Sequence, residues 1–327
     1  MTSTLSASHL QNEEAAYAYV EARVWPEGPI CPHCGCVGKI YAIKANAGAK
    51  VRIGLKKCGD CRKQFTVKVG TVFEASHVPL HLWLQAIALL TASKKGISSN
   101  QLHRTLGVTL KTAWFMSHRI REAMKDDGSV PIGGGGGVIE ADETFLGKRA
   151  TVFENGVGWR SKRGTGDMLK IVSLVERGGR ARSIKVENLQ KDEIVRALKG
   201  AARDSHLNTD QAQHYRRIGK EFLSHHSVDH GKDEYVRYEP DHIATTNTAE
   251  GFFSIFKRGM KGIYQHCDEK HLHRYLAEFD FRYSNRIRLG VDDRERADIA
   301  LKGIVGKRLT YRTTDRENGA SVTQARV

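Results

Sequence analysis

The stretch Val138-Ile139-Glu140-Ala141-Asp142-Glu143-Thr144-Phe145-Leu146-Gly147 decides the architecture. It opens as an apolar strand and places a carboxylate, Asp142, where the apolar portion ends. On its N-terminal side lie Asp126-Asp127-Gly128 and five consecutive glycines, Gly133 to Gly137. Such a run holds neither helix nor strand well, because each glycine loses much backbone entropy on ordering, so residues 127–137 read as a linker. On its C-terminal side strands are expected at 169–175 and 182–186, with Gly178-Gly179 as the turn between them. A helix fits 191–200, with Ile194, Val195 and Leu198 on one face. A short strand is expected within 201–210, and helices at 213–223, 248–260 and 271–283. Residues 155–167, with Arg160, Lys162 and Arg163, read as a long basic loop.

Three acids follow the glycines in a suggestive order. Asp142 ends the first strand, Asp210 ends Leu207-Asn208-Thr209-Asp210, and Glu250 closes Thr245-Thr246-Asn247-Thr248-Ala249-Glu250 at a helix start. Lys257 follows Glu250 by seven residues and projects from the same helix face. Singly, each acid has a plain explanation: solvated strand ends, or a capping box between Asn247 and Glu250. Together they are a set that can converge on two divalent cations, which clamp the attacking and leaving oxygens of a phosphoryl transfer.

The first third of the chain has a different character. The 327 residues carry 52 Lys+Arg against 37 Asp+Glu, a formal net charge of +15. Residues 35–70 hold nine of the basic side chains and one acid, Asp60, and residues 93–125 hold seven with one acid. That balance points to an acidic partner, most simply nucleic acid. Cys31-Pro-His-Cys34 and Cys58-Gly-Asp-Cys61 are two C-x-x-C knuckles, which favour a closed, structural four-thiolate zinc site over disulfides and leave Cys36 as a spare. Residues 98–121 have the rhythm of a helix-turn-helix: Ser98 caps one helix, Gly107 falls in the turn, and Thr109 caps a second helix whose Ala113, Met116 and Ile120 face inward. Lys111, Thr112, Trp114 and Arg119, with Arg258 farther along, are the expected DNA contacts. A 40% hydrophobic, 27% charged composition is globular. No stretch approaches a membrane span and the N-terminus does not read as a signal peptide, so a cytoplasmic, nucleoid-associated protein is expected.

The chain resembles bacterial insertion-sequence transposases of the DDE class that carry an N-terminal zinc ribbon, the insertion sequence 1595 family with an ISXO-like DDE domain. The resemblance spans roughly residues 15–290. It rests on Cys31-Pro-His-Cys34, on Ile139-Glu-Ala-Asp142-Glu-Thr-Phe-Leu-Gly147, on Thr209-Asp210, on Thr246-Asn-Thr-Ala-Glu250-Gly-Phe-Phe-Ser-Ile-Phe-Lys257-Arg-Gly259, and on Lys270-His-Leu-His-Arg-Tyr275 through Arg286. It departs from the family at Gly147-Lys148, where a second glycine is common, and at His242, which does not stand directly before Thr-Asn-Thr. The resemblance implies an α+β or α/β chain: a zinc ribbon, a small helix-turn-helix domain, then a ribonuclease-H-like mixed β-sheet core flanked by helices. It implies Asp142 and Asp210 as the first two ligands of Mg²⁺ or Mn²⁺. The family's third residue is read as either Asn or Glu. Glu250 keeps the seven-residue spacing to Lys257 and is preferred here over Asn247.

The expected layout is a zinc ribbon at 15–75, a helix-turn-helix region at 76–126, the linker, a catalytic domain at 138–290 and a C-terminal tail at 291–327. The expected activity is binding of terminal inverted repeats, then metal-dependent cleavage and transfer of DNA strands by a homo-oligomer assembled on double-stranded DNA. Two other readings compete: a DNA-binding regulator with an inactive core, and a ribonuclease-H-like nuclease that cuts without joining. His225, His226, His230, Asp229 and Asp233 are a possible metal group, more simply read as a polar strand and turn.

Overall fold

The computed structural model describes residues 6–44, 50–147, 151–156, 158–161, 164–211 and 213–310. The first helix, α1 (Glu13–Val24), starts at Asn12, whose side chain accepts the Ala15 amide at 2.9 Å. Three short antiparallel strands follow, β1 (Ile40–Ala42), β2 (Lys56–Cys58) and β3 (Gln64–Phe65), in sheet order β1-β2-β3. Among the described residues their buried core is Cys31, Cys58 and Phe65.

Next come α2 (Leu80–Ala92), α3 (Ser99–Leu106) and α4 (Leu110–Ala123). The boundaries of α3 and α4 are set by local chemistry. Ser98 accepts the Gln101 amide, Gly107 takes the left-handed conformation at φ 66°, and Thr109 accepts the Thr112 amide. Each side-chain cap stabilises its helix by about 1 kcal/mol. Leu102, Leu106, Ala113, Met116 and Ile120 are buried against α2, as the helix-turn-helix reading expects.

The rest of the chain builds a second unit. Its strands are β4 (Val138–Leu146), β5 (Thr151–Glu154), β6 (Gly158–Ser161), β7 (Leu169–Glu176), β8 (Ala181–Val186), β9 (His206–Asp210), β10 (Ser224–Val228), β11 (Val236–Glu239) and β12 (His242–Thr245). Its helices are α5 (Lys191–Leu198), the single turn α6 (Tyr215–Ile218), α7 (Asn247–Gly259) and α8 (Leu272–Ser284). Five strands make one mixed sheet in the order β10-β9-β4-β7-β8. β4 runs antiparallel to β7 and β7 to β8, whereas β4 and β9, and β9 and β10, are parallel. An antiparallel meander of three strands, followed by two parallel strands added on the other side of the first, is the ribonuclease-H arrangement. Alternation along the strands sends Ile139, Ala141, Val172 and Leu174 toward α5 and α6, and Ile171 and Val175 toward α7 and α8.

Four expectations are corrected. The glycine run is docked rather than loose: Ile132 is fully buried and bridges Ala201, the Gly134 amide donates to Ser205 Oγ, and the Gly135 amide to Asp204. Gly133 needs its residue type, because at φ 82° a Cβ would lie 2.5 Å from Ser205 Oγ. The basic loop is in part a hairpin, β5 paired with β6; Lys162 and Arg163 lie outside the described residues. The helix expected at 213–223 shrinks to α6 and a 3₁₀ turn at Gly219–Glu221.

The fourth correction concerns the C-terminal tail. Its residues 293–302 form α9 (Asp293–Lys302), which packs against α2 in the N-terminal helical core. Ala300, Leu301 and Ile304 are buried there, and Asp298 makes a two-pronged ion pair with Arg23 of α1 at 2.7 and 2.9 Å. The rest of the expected tail, from residue 311 on, lies outside the described residues. Among the described residues no helix is long and apolar enough to cross a membrane.

Candidate functional site

Pairing of β4 with β9 sets Glu140 beside Asn208. Two residues farther along each strand come Asp142 and Asp210, and the period of two puts both on the sheet face that α7 covers. Glu250 lies in the first turn of α7, 48% exposed, above the same region. Asp142 registers the convergence. Burial pushes its carboxyl up to about 7, and the negative charges of Glu143, Asp210 and Glu250 add to the rise, against the Glu143 amide, which donates to it. Carboxylates that gather around one another in this way are an oxygen donor set suited to a hard divalent cation. The trio is nevertheless open: the described groups whose ligand atoms fall within 4.8 Å of one another are the four cysteines and a histidine trio.

A residue that sequence reasoning missed sets this geometry. Glu140, fully buried two residues before Asp142, accepts the Thr248 amide at 2.7 Å, the Ala249 amide at 3.0 Å and the Thr248 hydroxyl at 2.9 Å. It therefore fills the N-terminus of α7, where amides lack partners and the helix dipole favours an anion. The capping box, the plain alternative reading of Glu250, does not form: Thr246 is the N-cap, without a side-chain cap bond, and the helix begins on Asn247. Arg177 completes the arrangement, donating to Glu140 at 2.7 Å and to the carbonyls of Ile243 and Thr245. The only sequence signal was a charged residue inside an apolar strand.

Other groups close in around the acids. His230 Nε2 stands 3.2 Å from Thr246 Oγ1 and 3.7 Å from Glu250. Glu143 points to the opposite face, where the Tyr215 hydroxyl donates to it at 2.6 Å and His214 lies 2.8 Å away. Lys257 is half-buried on α7. Beyond it Arg258, Lys261 and His266 are exposed, the last two around a π-helical turn at Met260–Tyr264, so a basic face extends from the acids.

The expected DNA contacts divide. Lys111 and Arg258 are exposed. Thr112 is half-buried, its hydroxyl 2.8 Å from that of the capping Thr109. Arg119 is corrected: it is 6% exposed and donates to the carbonyls of Val72, Glu74 and Leu309, a clamp on the fold rather than a hand for phosphate. Trp114 is half-buried. Its ring packs on His118 and His271, in the seam where α4 meets α8. That seam also holds the fully buried Arg121, which donates to Glu278 at 2.6 Å.

The cysteines converge as their spacing predicts. Cys31 Sγ and Cys61 Sγ are 3.7 Å apart, as are Cys34 Sγ and Cys58 Sγ, and all four lie within 4.8 Å of one another. A zinc tetrahedron with bonds of about 2.3 Å has edges of about 3.8 Å, so the cluster fits zinc. Cys36 is not part of it.

Comparison with known proteins gives a consistent picture. Residues 135–284 match the model of the ISXO2-like transposase domain, and residues 11–64 match the transposase zinc-ribbon domain. The "uncharacterized protein in transposable element ISH50" of Halobacterium salinarum is 26% identical, over 79% of this chain and 86% of its own length. A chain of the crystal structure of the Mos1 strand transfer complex aligns with 67% of this chain and 74% of its own, at 13% identity and a TM-score of 0.26. That score is too low to bear on the fold, which rests on strand order.

Proposed function

Because the chain belongs to the insertion-sequence transposases whose zinc-ribbon and ISXO2-like domains it matches, we propose that it acts by the two-metal DDE route, with Asp142, Asp210 and Glu250 holding Mg²⁺ or Mn²⁺. The observation that carries this reading is the register of β4 and β9, which sets Asp142 and Asp210 on one sheet face beneath the α7 turn that holds Glu250, with Asp142 pushed up by burial and by the neighbouring acids. When bound, two such ions neutralise charge developing on a phosphate and activate the attacking oxygen. Glu140 holds α7 so that Glu250 faces Asp142. Lys257 offers a point charge for a phosphate next to the scissile position. Glu250 is preferred over Asn247 because its negative charge reaches Asp142.

In this reading the ribbon and helix-turn-helix bind the terminal inverted repeats of a mobile element. Lys111 and the lysines and arginines of residues 35–70 meet phosphates. The core cleaves a phosphodiester to free a 3′-hydroxyl, which then attacks target DNA. Handling two ends calls for at least two copies of the chain on double-stranded DNA, inside the cytoplasm with the nucleoid.

The test is cleavage and joining of a labelled duplex bearing the element's terminal repeat, with Mg²⁺ or EDTA, for wild type, Glu250→Gln and Asn247→Ala. Joining should need Mg²⁺, fall to background in Glu250→Gln and largely survive in Asn247→Ala. Loss in Asn247→Ala alone reassigns the third ligand. Cutting without joining favours a plain nuclease, and tight binding without cutting under any divalent metal favours a regulator.

A further inference from the structure

We propose that His206, His226 and His242 form a second transition-metal site that takes a zinc-class cation, separate from the cysteine cluster and from the acids. The residues come from three strands, β9, β10 and β12, and none is close in sequence to another. One ring nitrogen from each lies within 4.8 Å of one from each of the others. The rings are packed together, His226 on His242 at 4.0 Å between centroids and His206 to His242 at 5.5 Å. His225, grouped with His226 by sequence, faces away to Thr209, and His230 belongs to the acids.

The hydrogen bonds around the trio leave a lone pair on each ring. Asn208 is buried and its Nδ2 donates to the carbonyls of Ile243 and Thr245, so its Oδ1 must accept. His242 Nε2, 2.7 Å from that oxygen, therefore carries the proton, and Nδ1 is left as a base. His226 Nδ1 faces the Glu239 carboxylate at 2.8 Å and carries its proton there, leaving Nε2 as a base. Ser224 Oγ lies 2.7 Å from His226 Nε2 and 2.7 Å from His206 Nδ1. Its hydroxyl accepts from His206 Nδ1, so His206 Nε2 is a base as well, and its own proton rests on the His226 Nε2 lone pair, from which a cation would displace it. Three neutral imidazoles, each fixed through its other nitrogen by a carboxylate, an amide oxygen or a hydroxyl, make the supporting shell that metal-binding histidines require. Imidazole nitrogen selects zinc and its neighbours over magnesium, so this site and the acids favour different ions.

The location gives such an ion a structural task. Among the described residues β11 and β12 pair only with each other, and β12 is tied to the sheet through side chains, chiefly Asn208 and Arg177. β12 leads directly into α7. A cation on the three histidines would fasten β12 to β9 and β10, four residues or about 13 Å along β9 from Asp210.

The experiment is metal counting on the full chain. Wild type, Cys58→Ser, Asp142→Asn and the double variant His226→Gln/His242→Gln are loaded with Zn²⁺, freed of excess by gel filtration and analysed for zinc per chain. Wild type and Asp142→Asn should each hold two equivalents, and Cys58→Ser and the double variant one each. With Co²⁺, the thiolate charge-transfer band should persist in the double variant while the second equivalent, which lacks that band, disappears. Far-ultraviolet circular dichroism checks folding; should the double variant unfold, His206→Asn replaces it. One equivalent in wild type, unchanged by the histidine substitutions, overturns the proposal. So does loss of the second equivalent in Asp142→Asn instead.

Discussion

The carboxylate of Glu140 accepts the Thr248 amide at 2.7 Å, and through that bond the strand that carries Asp142 grips the helix that carries Glu250. Glu140 is fully buried, so its charge depends on Arg177 and on the α7 amides. Removing one partner of such a group costs about 3–5 kcal/mol. Glu140→Ala should lower the unfolding free energy by that order in urea titrations. It should also depress Mg²⁺-dependent cleavage far more than DNA binding. Equal loss of both would mean that Glu140 supports the whole fold rather than the acids.

Arg119 and Lys111 lie on one helix and should behave oppositely. Lys111 is exposed. Lys111→Ala should weaken DNA binding and reduce the slope of log K against log salt by about 1. Arg119→Lys forfeits bonds to three carbonyls. It should lower the melting temperature and leave the salt slope of the folded fraction unchanged.

His118 supplies a pH dependence. It is buried against Trp114, His271 and Tyr275, and both its ring nitrogens lack partners. Burial, with Arg121 and His271 adding, pushes its pKa down to about 2. In the unfolded chain it returns to about 6.5. Below that value the unfolded state binds a proton that the folded state refuses. Stability should therefore be complete above about 6.5 and fall by up to about 1.4 kcal/mol per pH unit below it. His118→Phe should flatten that part of the stability curve relative to wild type between pH 6.5 and 4.5; an unchanged slope rules the histidine out.

The ribbon has a core of three buried residues, two of them cysteines. So small a core does not hold without its metal. Chelation of zinc should abolish amide protection at β1–β3, while β4, β7 and β9 keep theirs. Loss of protection throughout would mean that the ribbon and the core fold as one unit.

What was legible in the sequence is what is local. Ser98, Gly107 and Thr109 set their helix ends through neighbours within a few residues, and the cysteine knuckles announce themselves by spacing. Asp142, Asp210 and Glu250 were singled out by their order in the chain and by a family pattern, and their role as metal ligands is what we propose. Glu140 was not, because its partners lie 108 and 109 residues away. Arg119 looked like a DNA contact because charge on a recognition helix usually is; only the packing of residues 72–74 and 309 beneath it shows the clamp. The histidine trio sits on three separate strands, and its only local clue, His225-His226, is half misleading, since alternation turns those two side chains to opposite faces.

Because α9 closes the helical core begun by α1 and α2, the ribonuclease-H-like unit is in effect an insertion within the N-terminal helical unit. On the ribosome, the sheet of β4 to β10 is complete before the helix-turn-helix has its last wall. A nascent chain thus completes its mixed sheet before its N-terminal helical core is closed. Truncation after residue 290, which a tail would tolerate, should disable recognition at the far end of the polypeptide.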